Sequence, residues 1–268
     1  MALNDLPLIA PDRKLRGIRP FKAVHHFRKL IADKEDTKQV FYIIEALAGR
    51  KVLDQAKVFI PSPEGQDFIQ RESKTPLADM LDDHARWADC APNSVAQHYM
   101  RFMKHEGLTA AGLADESYDW KPRDERPNDQ LEWYLCRLRD THDLFHVLTT
   151  YGRDALGEAA LLGFSYEQNQ NLGVKFIAYA AARQIKMVTG TSAPLYGAIR
   201  EGRDLGKAAH KLAHMDVEAV MRSDIDEVRK QLNIGEPVLY RKCLEQLDAE
   251  GFAEENLGIN ADQTAQAA

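Results

Sequence analysis

Two histidines and two acidic residues fall within seventeen positions of this chain, in the pattern His-Asp-x-x-His, eleven residues, Glu. They are His142, Asp143, His146 and Glu158. On an α-helix, residues four apart lie about 40° apart around the axis and about 6 Å apart along it. Both imidazoles can then reach one point in space, as in zinc-binding helices with paired histidines. The spacing therefore predicts a metal site.

Glu158 can join that site only if the chain folds back on itself. On one straight helix, the separation between His146 and Glu158 spans about 18 Å, too far for one ion to bind both. Gly152 is the residue type favoured just past a helix end. Asp154 is a suitable N-cap for a second helix. We therefore expect an αα-hairpin that returns Glu158 to the level of His146.

The motif also continues a helical stripe, so the histidines are expected to be buried. Apolar residues recur at i, i+3 and i+4 spacing before and through it. Buried polar groups need partners, which a divalent cation would supply. The alternative without a metal pairs Asp143 with Arg139 and leaves the histidines hydrogen-bonded in the core. The stripe comprises Leu131, Leu135, Leu138, His142, Phe145, His146 and Thr149.

Helical patterning dominates the chain, and no convincing strand signal is present. With 268 residues, 44% of them hydrophobic, the chain is long enough for one large core. We predict an all-α protein with an irregular basic N-terminal arm (1–20), a helical metal-binding domain (21–257) and a flexible tail (258–268). Residues 117–128 are expected to form a loop, with Asn128 capping the histidine helix. The expected helices are about 21–33, 36–48, 50–59, 64–73, 92–105, 129–151, 154–171, 173–189, 195–220, 224–234 and 237–249.

Charge and cysteine content exclude several classes of function. A net charge of -6 argues against general nucleic-acid binding. The three cysteines, Cys90, Cys136 and Cys243, form no CxxC pair and indicate a reducing compartment without a disulfide framework. No stretch is long and apolar enough to span a bilayer. The first residues are typical neither of a secretory signal nor of a transit peptide.

The segment from Arg13 to Lys29 contains seven basic residues and no acidic ones. Phe21, Val24 and Phe27 are interspersed among them. Such a segment could lie on an anionic bilayer surface, where each basic residue contributes on the order of 1 kcal/mol. The alternatives are a solvated arm, or a helix whose three apolar side chains pack on the core.

A second histidine pair lies further along the chain. His210, His214 and Glu218 follow i, i+4, i+8 spacing, so on one helix their side chains would share a face. The surrounding residues look more exposed than those of the first motif. A solvated face, or adventitious metal binding, is therefore favoured over a functional site.

The chain resembles the coenzyme Q (ubiquinone) biosynthesis protein 4 family, whose hallmark is the same His-Asp-x-x-His-x11-Glu pattern, described there as a zinc-ligand set. The resemblance covers about residues 20–245. Residues 92–103, with Pro-x-Ser and a later Tyr-x-x-Phe-Met, are similar to a further family stretch. Residues 224–234 are similar to a C-terminal family helix with a Val-Arg pair. The helix after Glu158 lacks polar residues that many family members have at fixed positions. This difference affects what the resemblance implies about the substrate more than what it implies about the metal.

The resemblance implies ubiquinone biosynthesis, by metal-dependent removal of the C1 carboxylate of a polyprenyl-hydroxybenzoate, alone or coupled to hydroxylation. Zinc is the metal that it implies, and iron is the alternative. The implied partners are the polyprenylated aromatic acid, other quinone-biosynthesis proteins and a membrane surface, and a homodimer is considered. The implied location is the cytoplasmic face of the cell membrane, or the matrix side of the mitochondrial inner membrane in a eukaryote. The implied metal ligands are His142, Asp143, His146 and Glu158, with Glu158 and Asp143 as catalytic residues.

The alternative function is a non-catalytic organiser that binds polyprenyl lipids in a quinone-biosynthesis complex, with a structural metal. A zinc hydrolase is weaker, because Asp143 is one methylene shorter than the glutamate of that class. Asp143 can bind the ion directly or orient a histidine, and both remain open here. Candidates to line a channel for the lipid tail are Leu161, Phe164, Phe176, Ile177 and Met187.

Overall fold

The computed structural model describes residues 3–33, 36 and 38–252, so the predicted tail over 258–268 lies outside the described residues. Over the described part of the chain, sixteen α-helices form and no β-strand does, which confirms an all-α fold. The division into arm, domain and tail stays a prediction. The helices are α1 (Pro20–Ala32), α2 (Lys38–Ala46), α3 (Lys51–Phe59), α4 (Pro63–Glu72), α5 (Leu77–Asp82), α6 (His84–Trp87), α7 (Val95–Glu106), α8 (Ala110–Trp120), α9 (Gln130–Asp140), α10 (His142–Thr149), α11 (Ala155–Asn169), α12 (Leu172–Thr189), α13 (Leu195–Ala208), α14 (Val217–Arg222), α15 (Ile225–Gln231) and α16 (Val238–Ala249).

The expected loop over 117–128 is wrong in its first residues, because α8 continues to Trp120. Two side chains start this helix. The Thr109 hydroxyl accepts from the Gly112 N–H at 3.0 Å, and the Asp82 carboxylate accepts from the first two N–H groups of α8 at 2.7 and 2.8 Å. The second cap comes from a distant helix, and so helical periodicity alone does not indicate it.

The expected helix over 129–151 is two helices, separated at Thr141. The Thr141 hydroxyl donates to the Arg137 carbonyl at 2.9 Å, a bond that competes with the regular helical ladder. The N-cap of the first helix is Asp129 and not Asn128 as expected. Asp129 also accepts from the Ala10 N–H at 2.8 Å and pairs with Arg13, which holds the N-terminal arm against α9.

The expected helix over 195–220 ends at Ala208, so His210, His214 and Glu218 do not share one helical face. A 3-10 turn follows at Leu212–His214, and then α14. The interruption is stabilised by Gln168, whose amide donates to the Gly206 carbonyl at 2.7 Å and accepts from the Leu212 N–H at 2.9 Å. That buried amide replaces the helical bonds lost at the break.

The displaced residues have structural partners. The His214 ring stacks on Phe59 with a centroid separation of 3.9 Å. The Glu218 carboxylate accepts from Arg86 at 2.6 Å. The second histidine motif is therefore explained by packing and an ion pair.

Helix α11 lies in the main hydrophobic core and packs closely against α13. Two glycines of α13 allow that approach. A Cβ at Gly202 would lie 2.4 Å from the Ala160 carbonyl oxygen, and one at Gly206 would lie 2.4 Å from the Phe164 carbonyl oxygen. Contact at this distance leaves Leu161 and Phe164 fully buried, so α11 is held firmly against the core.

Substituting Gly202→Ala is expected to destabilise the fold by about 1–3 kcal/mol, since the added methyl group forces the two backbones apart. Urea unfolding followed by circular dichroism measures the change. The control is Gly17→Ala, because a Cβ there meets nothing within 4 Å. Equal stability of Gly202→Ala and wild type would show that α13 moves aside without cost.

Candidate metal centre

Helix α10 carries both motif histidines, and Arg229 of α15 binds its C-terminal end. The guanidinium donates to the carbonyls of Leu148 at 3.0 Å and Val147 at 3.1 Å. These carbonyls have no partner within the helix, so the arginine supplies the missing donors. The Val-Arg pair that resembles a family helix therefore positions the histidine helix.

The turn after α10 differs from the expectation in one residue. Thr150, with φ of 61°, ends the helix, and Gly152 does not take the left-handed conformation. Gly152 is required for a different reason. A Cβ at that position would lie 2.8 Å from the Tyr240 hydroxyl, to which the Gly152 N–H donates at 2.9 Å.

Asp154 begins α11 as the sequence predicts. Its side chain accepts from the N–H groups of Leu156 at 3.0 Å and Gly157 at 2.9 Å. Its other carboxylate oxygen accepts from the Tyr240 hydroxyl of α16. The hairpin is thereby confirmed, and Glu158 in the first turn of α11 faces back towards α10.

The four motif side chains meet at this hairpin. The Glu158 carboxylate spans the histidines, with Oε2 at 3.6 Å from His142 Nε2 and Oε1 at 3.4 Å from His146 Nε2. The two imidazole centroids lie 5.0 Å apart. One carboxylate oxygen of Asp143 and one ring nitrogen of each histidine lie within 4.8 Å of one another. Glu158 lies near both histidines but is not part of this mutually close group of three. Two imidazole nitrogens with carboxylate oxygens are a donor set that suits a divalent transition metal.

His146 is oriented as a ligand would be. Its side chain is fully buried, and Nδ1 lies 3.0 Å from the Tyr151 carbonyl oxygen. A carbonyl only accepts, so Nδ1 carries the proton and Nε2 presents a lone pair towards Glu158. That buried Nε2 has no hydrogen-bond partner. A cation at this point would satisfy it, so the residues present fit a metal.

The charge state of Glu158 also suits a ligand. Burial by itself raises the pKa of this carboxyl, but the positive charge that His146 carries when its ring is protonated, and the hydrogen bond to His142, hold it well below its usual range. Burial lowers the pKa of His142, and the hydrogen bond and charge of Glu158 outweigh that effect and raise it. Glu158 is therefore ionised at neutral pH, and protons compete with a metal at His142.

The pairing of Asp143 with Arg139, expected if no metal binds, is not formed. Arg139 instead pairs with its neighbour Asp140, with Nη2 at 2.6 Å from the carboxylate. Asp143 is buried within 4.8 Å of both histidine rings. The geometry therefore associates Asp143 with the histidines and leaves its direct binding of an ion as a prediction.

Three further residues surround the site and were not predicted from the sequence. Phe102 of α7 stacks on the His146 ring at a centroid separation of 5.6 Å. Arg153 Nε lies 3.6 Å from Glu158 Oε1, and its Nη1 lies 3.8 Å from Glu106 Oε2. The i, i+4 spacing of Phe102 and Glu106 on α7, next to the Tyr-x-x-Phe-Met stretch, is the signal that could have indicated them.

A cavity of about 1110 Å³ extends from the candidate metal centre towards α1 and α2. His142, Arg153 and Glu158 line it, and charged residues such as Arg13 and Glu45 line it as well. Much of the wall is apolar, from the side chains of Phe27, Val40, Phe41, Ile44, Leu135, Leu162, Val174 and Ile177. The candidate metal centre thus borders a large cavity whose polar and apolar walls suit a ligand with a polar head and an apolar tail.

The residues expected to line a tail channel have different locations. Ile177 lines the cavity. Leu161 and Phe164 are fully buried in the main core, and Met187 is 65% exposed. Phe176 packs edge-on against Phe27 at 5.2 Å. Residue spacing along α11 and α12 therefore did not predict which side chains of these helices line the cavity.

An exposed apolar patch adjoins this cavity in the basic segment. Phe21 is 90% exposed, and Leu15, Ile18 and Val24 are exposed as well. Leu15 also lines the cavity. Of the three apolar side chains that could pack on the core, Phe27 does so and Phe21 and Val24 do not.

Along the described residues, every helix is too short or too polar to cross a bilayer.

Comparison with known proteins gives one consistent family. The sequence profile described as coenzyme Q (ubiquinone) biosynthesis protein Coq4 matches residues 29–238. The mitochondrial ubiquinone biosynthesis protein coq4 of Aspergillus fumigatus is 26% identical over 147 residues, covering 54% of this chain and 48% of the relative. The mitochondrial homologue of Danio rerio is 25% identical over 181 residues, covering 65% of this chain and 61% of the relative. The match thus spans about half to three fifths of the length of these relatives.

A crystal structure from Nostoc punctiforme, of a candidate ubiquinone biosynthesis protein, has a similar fold. Its TM-score is 0.54 at 17% identity, and the match covers 80% of this chain and 98% of that chain. At this identity the likeness shows the fold alone.

Loss of a residue that orients a metal ligand typically weakens metal binding by about 10- to 100-fold. Substituting His146→Ala removes a proposed ligand itself and is expected to weaken zinc binding by more than that. The physical reason is the loss of the buried Nε2 lone pair. Competition with a chromophoric chelator measures the affinity. The control is His210→Ala, which belongs to the second histidine pair and is exposed. Equal zinc affinity of His146→Ala and wild type would contradict the site.

In the metal-free protein, Glu158→Gln is expected to lower the pKa of His142, because burial then acts without the carboxylate that offsets it. The ion pair stabilises the fold between the unfolded pKa values of Glu and His, about 4.3 and 6.5. That contribution is lost as pH rises through the raised pKa of His142. An NMR titration of the His142 ring measures the pKa, and an unchanged value would show that the pair is not formed.

Proposed function

We propose that this chain, which belongs to the coenzyme Q (ubiquinone) biosynthesis protein Coq4 family, removes the C1 carboxylate of a polyprenyl-hydroxybenzoate, alone or coupled to hydroxylation. One observation carries the proposal: His142, which belongs to a donor set suited to a metal, and the neighbouring Glu158 line a large cavity with extensive apolar walls. A substrate with an acidic aromatic head and a polyprenyl tail has the matching distribution of polarity.

The size of the cavity supports a large substrate. Pockets for small molecules usually enclose about 300–1,000 Å³. This one encloses about 1110 Å³, and residues of α9, α11 and α12 line it. In the proposal, the aromatic head lies beside His142 and Glu158, and the tail lies against residues such as Ile44 and Ile177.

His142, Asp143, His146 and Glu158 are the proposed metal ligands, and zinc is the proposed metal, with iron as the alternative. A bound divalent cation would act as a Lewis acid that stabilises charge developing on a carboxylate or phenolate. Glu158 and Asp143 are the proposed catalytic residues. The pKa of Glu158 is held low, so its carboxylate is ionised. Its proposed role is therefore to bind the cation and not to donate a proton.

The surroundings of the head group support chemistry in a dry site. Phe102 covers one face of the His146 ring, and the His146 side chain has no exposed surface. Water is excluded from that side, which strengthens electrostatic interactions with the substrate. The Tyr151 carbonyl holds the ring in place, so little reorganisation is needed when substrate binds.

We also propose that the chain acts at a membrane surface. Leu15 and Phe21 are exposed among basic residues, and Leu15 also lines the cavity, so a tail could pass between the bilayer and the cavity. The proposed location is the cytoplasmic face of the cell membrane, or the matrix side of the mitochondrial inner membrane in a eukaryote. The proposed partners are other quinone-biosynthesis proteins, and a homodimer is the proposed oligomer.

A second candidate function has support from the same cavity. A non-catalytic organiser that holds polyprenyl lipids for neighbouring enzymes would need the apolar walls and the exposed patch. Because its metal would be structural, it would not need the metal ligands to border the cavity, as His142 and Glu158 do. The site therefore favours the enzyme over the organiser.

A decarboxylation assay with purified protein separates the two functions. Glu158→Gln is expected to reduce carbon dioxide release from a polyprenyl-hydroxybenzoate by at least about 100-fold, the order lost when one charge-stabilising group is removed. The matched control is Glu167→Gln. It removes another carboxylate of α11, one that pairs with Arg203 of α13. If purified, metal-loaded wild type releases no carbon dioxide, the organiser is the better account. If folded Glu158→Gln or metal-free protein decarboxylates at the wild-type rate, the proposed metal-dependent mechanism is wrong.

A further inference from the structure

Tyr99 of α7 is a buried phenol that none of the chemistry proposed above uses. Its side chain is fully buried in the main core, and its hydroxyl makes no hydrogen bond with any of the described residues. A buried hydroxyl without a partner is unfavourable, and native proteins contain few such groups. The hydroxyl of Tyr99 therefore points to a role that packing alone does not explain.

The contacts of α7 show how this helix lies against the metal-binding hairpin. Tyr99, Phe102 and Glu106 are spaced i, i+3 and i+7, so they share one face of α7. Phe102 stacks on the His146 ring at a centroid separation of 5.6 Å. Further along, Glu106 Oε2 lies 3.8 Å from Arg153 Nη1. The contacts thus run in the same order along α7 and along the hairpin.

This order places the Tyr99 hydroxyl level with Asp143. Tyr99 precedes Phe102 by three residues, and Asp143 precedes His146 by three residues. Burial raises the pKa of Tyr99, and the charge of Asp143 raises it further, more than the charge of any other carboxylate does. Since such an effect weakens with distance, Asp143 is a near neighbour of the phenol. The hydroxyl keeps its proton at neutral pH and is available as a donor.

The other two carboxylates whose charges act on Tyr99 already have partners. Asp82 accepts from the first two N–H groups of α8, and Asp140 pairs with Arg139 at 2.6 Å. Asp143 is buried, yet no hydrogen bond reaches its carboxylate from the part of the chain that the structure describes. A donor without an acceptor therefore lies near an acceptor without a donor.

We propose that Tyr99 positions Asp143, by donating a hydrogen bond from its hydroxyl to that carboxylate when a cation occupies the site. This inference rests on the proposed function, since it assigns a supporting residue to one of the proposed ligands. A hydrogen bond from a hydroxyl to a carboxylate is charge-assisted and stronger than one between neutral groups. With one oxygen held by Tyr99, the other remains for the ion or for a histidine. Tyr99 acts through Asp143 and does not itself touch the ion.

The test compares zinc affinity with the stability of the metal-free protein. Tyr99→Phe removes only the hydroxyl and is expected to weaken zinc binding by about 10- to 100-fold, as for other residues that orient a ligand. Competition with a chromophoric chelator measures this affinity. The urea midpoint of metal-free Tyr99→Phe is expected to be unchanged or higher, because the hydroxyl bonds nothing there. A purely structural hydroxyl would give the reverse, with lower stability and unchanged affinity.

The matched control is Tyr134→Phe. Tyr134 is also fully buried, but it belongs to a separate hydrophobic cluster, and its hydroxyl lies 3.4 Å from His214. Removing this hydroxyl is expected to leave zinc affinity at the wild-type value. If Tyr134→Phe weakens zinc binding as much as Tyr99→Phe does, the effect belongs to the loss of any buried hydroxyl and the role of Tyr99 is wrong.

A double variant tests whether Tyr99 acts through Asp143. In Asp143→Ala no carboxylate remains to accept the bond, so adding Tyr99→Phe is expected to weaken zinc binding no further. Equal effects of Tyr99→Phe with and without Asp143 would overturn the inference.

The outcomes separate the inference from the proposed function. If Tyr99→Phe binds zinc as tightly as wild type does, the role of Tyr99 is wrong and the proposed function stands. If wild type itself binds no zinc, the proposed metal site fails, and the proposed function and this inference fail with it.

Discussion

The hydrogen bond from Tyr240 to Asp154 fixes the turn on which the candidate metal centre depends. Asp154 caps α11, and Tyr240 also accepts from the Gly152 N–H, so one phenol on α16 ties both sides of the turn together. Burial raises the pKa of Asp154, and hydrogen bonds from Tyr240 and from the α11 backbone oppose that effect. If one straight helix replaced this turn, Glu158 would lie about 18 Å from His146 along the helix axis.

Segments distant in sequence converge on that hairpin. α7 supplies Phe102, which covers His146, and α15 supplies Arg229, which binds the end of α10. The two supporting segments are joined directly, because the Val95 N–H donates to the Ser223 carbonyl at 2.9 Å and the Ile225 N–H donates to the Asn93 carbonyl at 3.0 Å. The three stretches that resemble the family thus form one structural unit around the site.

Local rules predicted the parts of the site that local interactions determine. The histidine spacing and the Asp154 cap are set within one helical turn, and both were predicted correctly. The end of α10 was misplaced at Gly152, because the constraint on that glycine comes from Tyr240, far along the chain. The break after Ala208 was missed because Gln168, on another helix, provides the replacement hydrogen bonds. Periodicity carries no information on such distant partners.

The central claim is that the hairpin binds one divalent cation, and anomalous diffraction at the zinc edge from zinc-loaded crystals tests it most directly. The account predicts one strong peak within coordination distance, about 2.0–2.2 Å, of Nε2 of both motif histidines and of a Glu158 oxygen. The same map shows whether Asp143 binds the ion or only orients a histidine. A peak elsewhere, such as beside His210, with none at the hairpin would contradict the account.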